Sequence, residues 1–155
     1  MTTRHDAGAW TVGIACVSEA SALLYEQIVF IPNFLLGNPI DARLHFAQLH
    51  AITNPGHFHA VVGGILAIGL GVMWRGIRRP SDRAAVRRVA TPVLLAGGLS
   101  LVAITALNPV LFFAEGEVAP SRLETFVWVW SSVNLLRLLF LATAARHSLG
   151  MVCRG

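Results

Sequence analysis

Charge is scarce in this sequence. Only 13% of its 155 residues are Asp, Glu, Lys or Arg, and lysine is missing altogether, so all twelve basic residues are arginine. Soluble domains carry about 25% charged residues. A chain with 55% hydrophobic residues and a mean hydropathy of +0.64 cannot hide its apolar surface in one small core. A water-soluble globule, a secreted scaffold, a nucleic-acid module and a disordered tail are therefore disfavoured. Cysteine is equally sparse: Cys16 and Cys153 stand far apart with no second cysteine at redox or metal spacing, which excludes a disulfide framework, a CxxC centre and a thiolate metal site. There is no GxGxxG and no P-loop, so no nucleotide or flavin motif is present. The span interiors lack a histidine, which argues against haem held between facing helices.

What is present is long apolar runs. About 20 such residues cross the roughly 30 Å of bilayer hydrocarbon, and four runs qualify: Trp10 to Phe34, His57 to Trp74, Ala90 to Phe113 and Leu123 to Ala145. The first is too polar at its start for a signal peptide and reads as a retained span. Backbone polar groups in lipid must be satisfied within the segment, so all four are helices. The expected fold is all-α, a single integral-membrane four-helix bundle over residues 1–155. Pro32, Asn33, Gly37, Asn38 and Pro39 should stop span one, and Asn54-Pro55-Gly56 should launch span two. Arg78 to Pro80, with Ser81 and Asp82, should turn into a short basic amphipathic stretch. Pro92 is expected in the first turn of span three, and Gly116 and Pro120 close the last loop.

Arginine placement orients the bundle. The linker from Arg75 to Val89 holds six arginines against Asp82. The two other loops hold Arg43 and Arg122 against Asp41, Glu115, Glu117 and Glu124. The positive-inside rule puts the arginine linker and both termini, with Arg4, Arg146 and Arg154, in the cytoplasm of a cell bounded by this membrane. A nucleic-acid role for the linker is disfavoured.

Three ionisable residues fall inside spans: Glu19 and Glu26 in span one and Arg137 in span four. Each costs at least about 2.5 kcal/mol on insertion scales and needs a partner or a role. Glu19 and Glu26 are seven residues apart and share one stripe, which must face the interior. At about 1.5 Å per residue, Arg137 lies level with Glu19, leaving Glu26 without an evident cation. A single ion triad is the structural alternative. Near Glu26 gather Tyr25, Asn108 before the helix-loosening Pro109, and Trp130, which shares a face with Asn134 and Arg137.

Histidine is concentrated at the same end. Leu44 to His50 reads as a short outer amphipathic helix bearing His45 and His50, and His57-Phe58-His59 opens span two. These imidazoles, joined by Glu26, make a candidate N/O site for iron, copper or zinc. His57 and His59 point about 200° apart in a regular helix, so both ligate only if that turn is irregular.

Leu24-Tyr25-Glu26-Gln27-Ile28-Val29 leading into Ile31-Pro32-Asn33, Thr53-Asn54-Pro55-Gly56, and Trp130 with Asn134, Leu135 and Arg137 resemble the anthrone oxygenase-like family. These are small four-span membrane proteins, grouped largely as a domain of unknown function. The resemblance implies a four-helix bundle, oxidation of a polycyclic anthrone to a quinone by dioxygen, and roles for Glu26, Asn54, Asn134 and Arg137. Such chemistry needs an apolar slot, one base and an oxyanion donor. Glu26 or His59 could be the base and Asn108 or Asn134 the donor. Trp130, Phe58 and Phe112 could stack on a small lipophilic substrate, beside Tyr25. Two other functions compete: a proton or small-solute conductor using Glu19, Glu26 and Arg137, and a structural subunit packing through Gly63-Gly64 and Gly97-Gly98 on a partner or in a homo-oligomer.

Overall fold

A computed structural model describes residues 4–50, 52, 55–113 and 118–153, with side chains from residue 6 onward. Thr53, Asn54, Glu115, Gly116, Glu117, Arg154 and the Arg4 side chain lie outside the described residues. Every regular element among the described residues is helical. Four rods, Asp6–Leu35, Pro55–Arg75, Pro80–Phe113 and Pro120–Val152, are long and apolar enough to cross a membrane.

Rod one comprises α1 (Arg4–Tyr25), a π-helical turn (Glu26–Phe30) and α2 (Ile31–Leu35). Helix α3 (Pro39–Leu49) follows, its first turn capped by Asn38, whose side-chain oxygen accepts from the Ile40 amide at 3.0 Å. Rod two is α4 (Pro55–Arg75). Rod three is α5 (Pro80–Val102) continued by two π turns, Ala103–Leu107 and Pro109–Phe113, and rod four is α6 (Pro120–Val152). Proline in the first turn of α3, α5 and α6 fits positions whose amides have no intrahelical partner.

Three sequence expectations are corrected. Pro32 and Asn33 do not stop the first helix: the π turn immediately before them shifts the register, with the Ile31 amide bonded to the Glu26 carbonyl, and the rod runs on to Leu35. The basic stretch after Arg79 is not a separate element but the beginning of α5, because the Asp82 carboxylate accepts the amides of Arg78 and Arg79 at 3.2 and 3.0 Å and starts the helix there. Pro92 consequently sits well inside α5 rather than in its first turn. Pro109 does loosen its helix as expected, for the Asn108 amide reaches back to the Ala103 carbonyl in π register.

Helix α1 packs along both α4 and α6, and α5 packs along α6, whereas α4 and α5 meet sparingly. The tight α1–α4 contact depends on glycine. An added Cβ at Gly8 would stand 2.8 Å from the Met73 backbone nitrogen, and one at Gly69 would stand 2.7 Å from Val12 Cγ2. Two apolar clusters fill the bundle. One, at the linker end, includes Val12, Cys16, Met73, Val89 and Leu141, and the other, beneath α3, includes Phe34, Phe46, Phe112, Leu123 and Trp130. The polar residues of interest lie where these clusters meet.

Candidate functional site

Five side chains from three rods close into a ring of hydrogen bonds. His59 from the second turn of α4 places Nδ1 2.7 Å from Glu19 Oε1 and Nε2 2.9 Å from Glu26 Oε1. The other Glu26 oxygen accepts from Asn134 Nδ2 at 3.0 Å. Asn134 Oδ1 in turn accepts from Arg137 Nη1 at 2.7 Å, and Arg137 Nη2 donates to Glu19 Oε1 at 3.1 Å. Local helix geometry supplies the spacing: Glu19 and Glu26 repeat after about two turns, and Asn134 and Arg137 are one turn apart on α6. Glu19, Glu26, Asn134 and Arg137 are all buried.

Charge fixes the state that this geometry describes. Each of the two short N···O contacts of His59 needs one proton between its atoms, on the imidazole or on a carboxylate. With both protons in place, two carboxylates are balanced by one guanidinium and one further positive charge, and the ring is neutral. Removing one proton leaves a single net negative charge shared by the imidazole and its carboxylates, which is the form of a base.

The ring forms one wall of a cavity of about 240 Å³, to which Glu19, Glu26, His59 and Arg137 all contribute. Trp130 and Phe112 form an aromatic wall, their ring centroids 5.6 Å apart and edge to face. Asn108 also lines the cavity; its oxygen accepts from Trp130 Nε1 at 3.1 Å, leaving its NH2 as a donor with no protein partner among the described residues. Two further residues that the sequence did not single out, Gln27 and Ser131, clamp rod one to α6 beside Glu26, with Ser131 Oγ donating to Gln27 Oε1 at 2.7 Å.

Arg137 pairs with Glu19, as their depth predicts, and Glu26, Asn108, Phe112 and Trp130 come together. Glu26 is not left without a cationic partner, because His59 reaches it, and a histidine therefore does occupy the interior. Asn134 is fully buried with its oxygen and amide both engaged in the ring, so it positions Glu26 and Arg137 and stays off the cavity wall. Tyr25 and Phe58 are largely exposed and lie outside this cavity: Tyr25 packs edge-on to Phe30, and Phe58 faces outward on the first turn of α4.

The metal set of Glu26, His45, His50, His57 and His59 does not assemble. Helix α4 is regular from Pro55, so His57 is exposed while His59 turns inward. His45 and His50 line a separate, open recess of about 720 Å³, divided from the cavity by Phe30, Phe46 and Pro55, and His50 stacks on Phe46 with Nδ1 2.9 Å from the Phe46 carbonyl. Glu19 and Glu26 meet opposite nitrogens of His59 and so do not converge on one point. Among the described residues, no three His, Cys, Asp or Glu side chains stand where they could hold an ion. Comparison with protein-family models, curated proteins and solved structures finds no match to this chain.

Proposed function

We propose that the chain is a membrane-embedded oxidoreductase of oxygenase type, in which the His59 ring takes a proton from a small lipophilic substrate whose carbanion or enolate then reacts with dioxygen. The observation that carries this reading is His59 bridging Glu19 and Glu26 at the wall of an otherwise apolar, aromatic-lined cavity. A proton-handling group, an apolar slot and a donor with spare capacity are what proton abstraction beside a carbonyl requires. In its proton-deficient form the ring accepts the substrate proton and becomes neutral, while the Asn108 NH2 is placed to donate to the developing oxyanion. Phe112 and Trp130 offer faces for a planar ring system.

The resemblance to anthrone oxygenase-like proteins supports the same chemistry. There a methylene between two aryl rings becomes a carbonyl: one atom of dioxygen becomes the new carbonyl oxygen, and the other leaves as water with the two methylene hydrogens. What speaks against a proton conductor is the apolar cluster of Val12, Cys16, Met73 and Leu141 between the ring and the linker end. The arginine-rich linker supports an orientation with that end cytoplasmic and the α3 end outside.

The test is oxygen uptake by protein in nanodiscs supplied with anthrone, followed by an oxygen electrode and quinone absorbance. Uptake above the protein-free rate that falls at least tenfold in His59→Gln and Glu26→Gln is expected. A rate equal to the protein-free control would remove this assignment.

A further inference from the structure

Because α4 and α5 meet sparingly, the bundle has one loosely closed seam, and the cavity lies along it. We propose that this seam is a lateral doorway through which a small lipid-soluble molecule passes from the bilayer core to the ring, and that Gly63 and Gly97 set its width. This rests on the reading that the cavity takes a lipophilic guest.

Glycine in a membrane helix ordinarily lets two backbones approach closely, as Gly8 and Gly69 do between α1 and α4. Gly63 and Gly97 do the opposite. They face each other's helices across the seam and line the cavity, yet a Cβ added at either would meet nothing within 4 Å. Glycine inside a helix is destabilising relative to alanine, and here no close contact explains its presence; what it leaves is open space.

A second observation at the inner end of the same cavity points to a guest. Glu19 and Arg137, each 5% exposed, both line it, and Glu19 Oε2 and Arg137 Nε have no hydrogen-bond partner. Buried polar atoms in native structures are nearly always partnered, so this end suits a molecule that brings a polar edge. The rest of the lining, with Ala60, Ala96 and Ile104 near the seam, suits an apolar body. Size narrows the occupant further. A volume of about 240 Å³ falls below the roughly 300–1,000 Å³ of sites for drug-sized ligands. A partner's transmembrane helix, about 10–12 Å across, is too wide for it.

Trp130 provides an internal reporter, being buried on the cavity wall, whereas Trp10, Trp74 and Trp128 are about half exposed. In a background with those three changed to Phe, in phosphatidylcholine nanodiscs, 1-bromonaphthalene should quench Trp130 fluorescence. Gly63→Leu and Gly97→Leu should each reduce the quenching constant at least threefold, with Gly63→Ala and Gly97→Ala intermediate; the alanine pair still decides the matter if leucine prevents folding. Gly64→Leu and Gly98→Leu, adjacent but off the cavity wall and equally free of contacts, should leave it unchanged. Equal quenching in all variants, or equal loss at all four glycines, overturns the doorway. So does quenching of the parent by mid-chain brominated lipid that Gly63→Leu abolishes, since the occupant would then be a lipid tail. Quenching that depends on Gly63 and Gly97 without any anthrone-dependent oxygen uptake upholds the doorway while removing the proposed reaction.

Discussion

Arg137 Nη2 donates to Glu19 Oε1 at 3.1 Å, tying α6 to α1 deep between two apolar clusters. Removing one member of a buried pair strands the other, a loss of about 3–5 kcal/mol. Arg137→Leu should therefore lower stability by that order in a detergent-unfolding titration. Glu19→Gln should partly restore it, because the ring then carries one negative charge fewer. Absence of any restoration would mean that Arg137 is held chiefly by Asn134.

The four clustered histidines should separate functionally. His59→Gln is expected to reduce anthrone-dependent oxygen uptake at least tenfold, whereas His45→Ala, His50→Ala and His57→Ala should stay within about twofold, since none of the three lines the cavity of the ring. A large loss at His57 would instead place the chemistry on the outward face of α4.

Asn134→Leu keeps the side-chain size but withdraws a donor from Glu26 Oε2 and an acceptor from Arg137 Nη1. Leaving a buried polar group unpaired costs about 1–3 kcal/mol, so a stability loss of at least that size should accompany lower turnover. Measured stability equal to the parent would show that the ring reforms without Asn134.

Gly8→Ala should destabilise the bundle, because the new Cβ would lie 2.8 Å from backbone at Met73, where no side chain can swing aside. Overpacking of this kind costs about 1–3 kcal/mol. Gly98→Ala, with open space around it, should be neutral or slightly stabilising by the helix propensity of alanine. The two unfolding midpoints, measured side by side, decide the point.

Orientation can be read with a membrane-impermeant maleimide on intact cells, in a Cys153→Ser background that removes the exposed native thiol. A cysteine at Asn38 should label from outside and one at Ser81 should not. The reverse pattern would place the α3 end in the cytoplasm.

The spans were legible because hydropathy and length act locally, and the Glu19–Arg137 pair was legible because depth follows from helical rise. His59 was misassigned for a reason that the sequence itself could have corrected. Two interior carboxylates against one arginine leave a net negative charge, and the histidine one turn into the next span is the nearest cation available to balance it. Its position beside His57 suggested ligation, but regular helix geometry sends the two to opposite sides. The proline signals misled because Pro32 ends an α-helical hydrogen-bond register without ending the rod, once a π turn absorbs the missing amide. Glycine roles were not legible at all: Gly69 and Gly63 sit on the same helix in similar apolar sequence, and only the neighbouring rod decides which is packed and which is bare.

The π turn at Glu26–Phe30 makes chain length itself a variable of the cavity wall. Deleting Ile28 would return this stretch to α register and swing everything after it by about 100°. Glu19 and Glu26 precede the missing residue and would keep their place. Phe30, which helps wall the cavity, and Phe34, which packs against Phe112, would turn away. A lesion of one codon would thus leave the acid–base groups present and correctly spaced while stripping the apolar enclosure around them, an effect no single substitution in that turn reproduces.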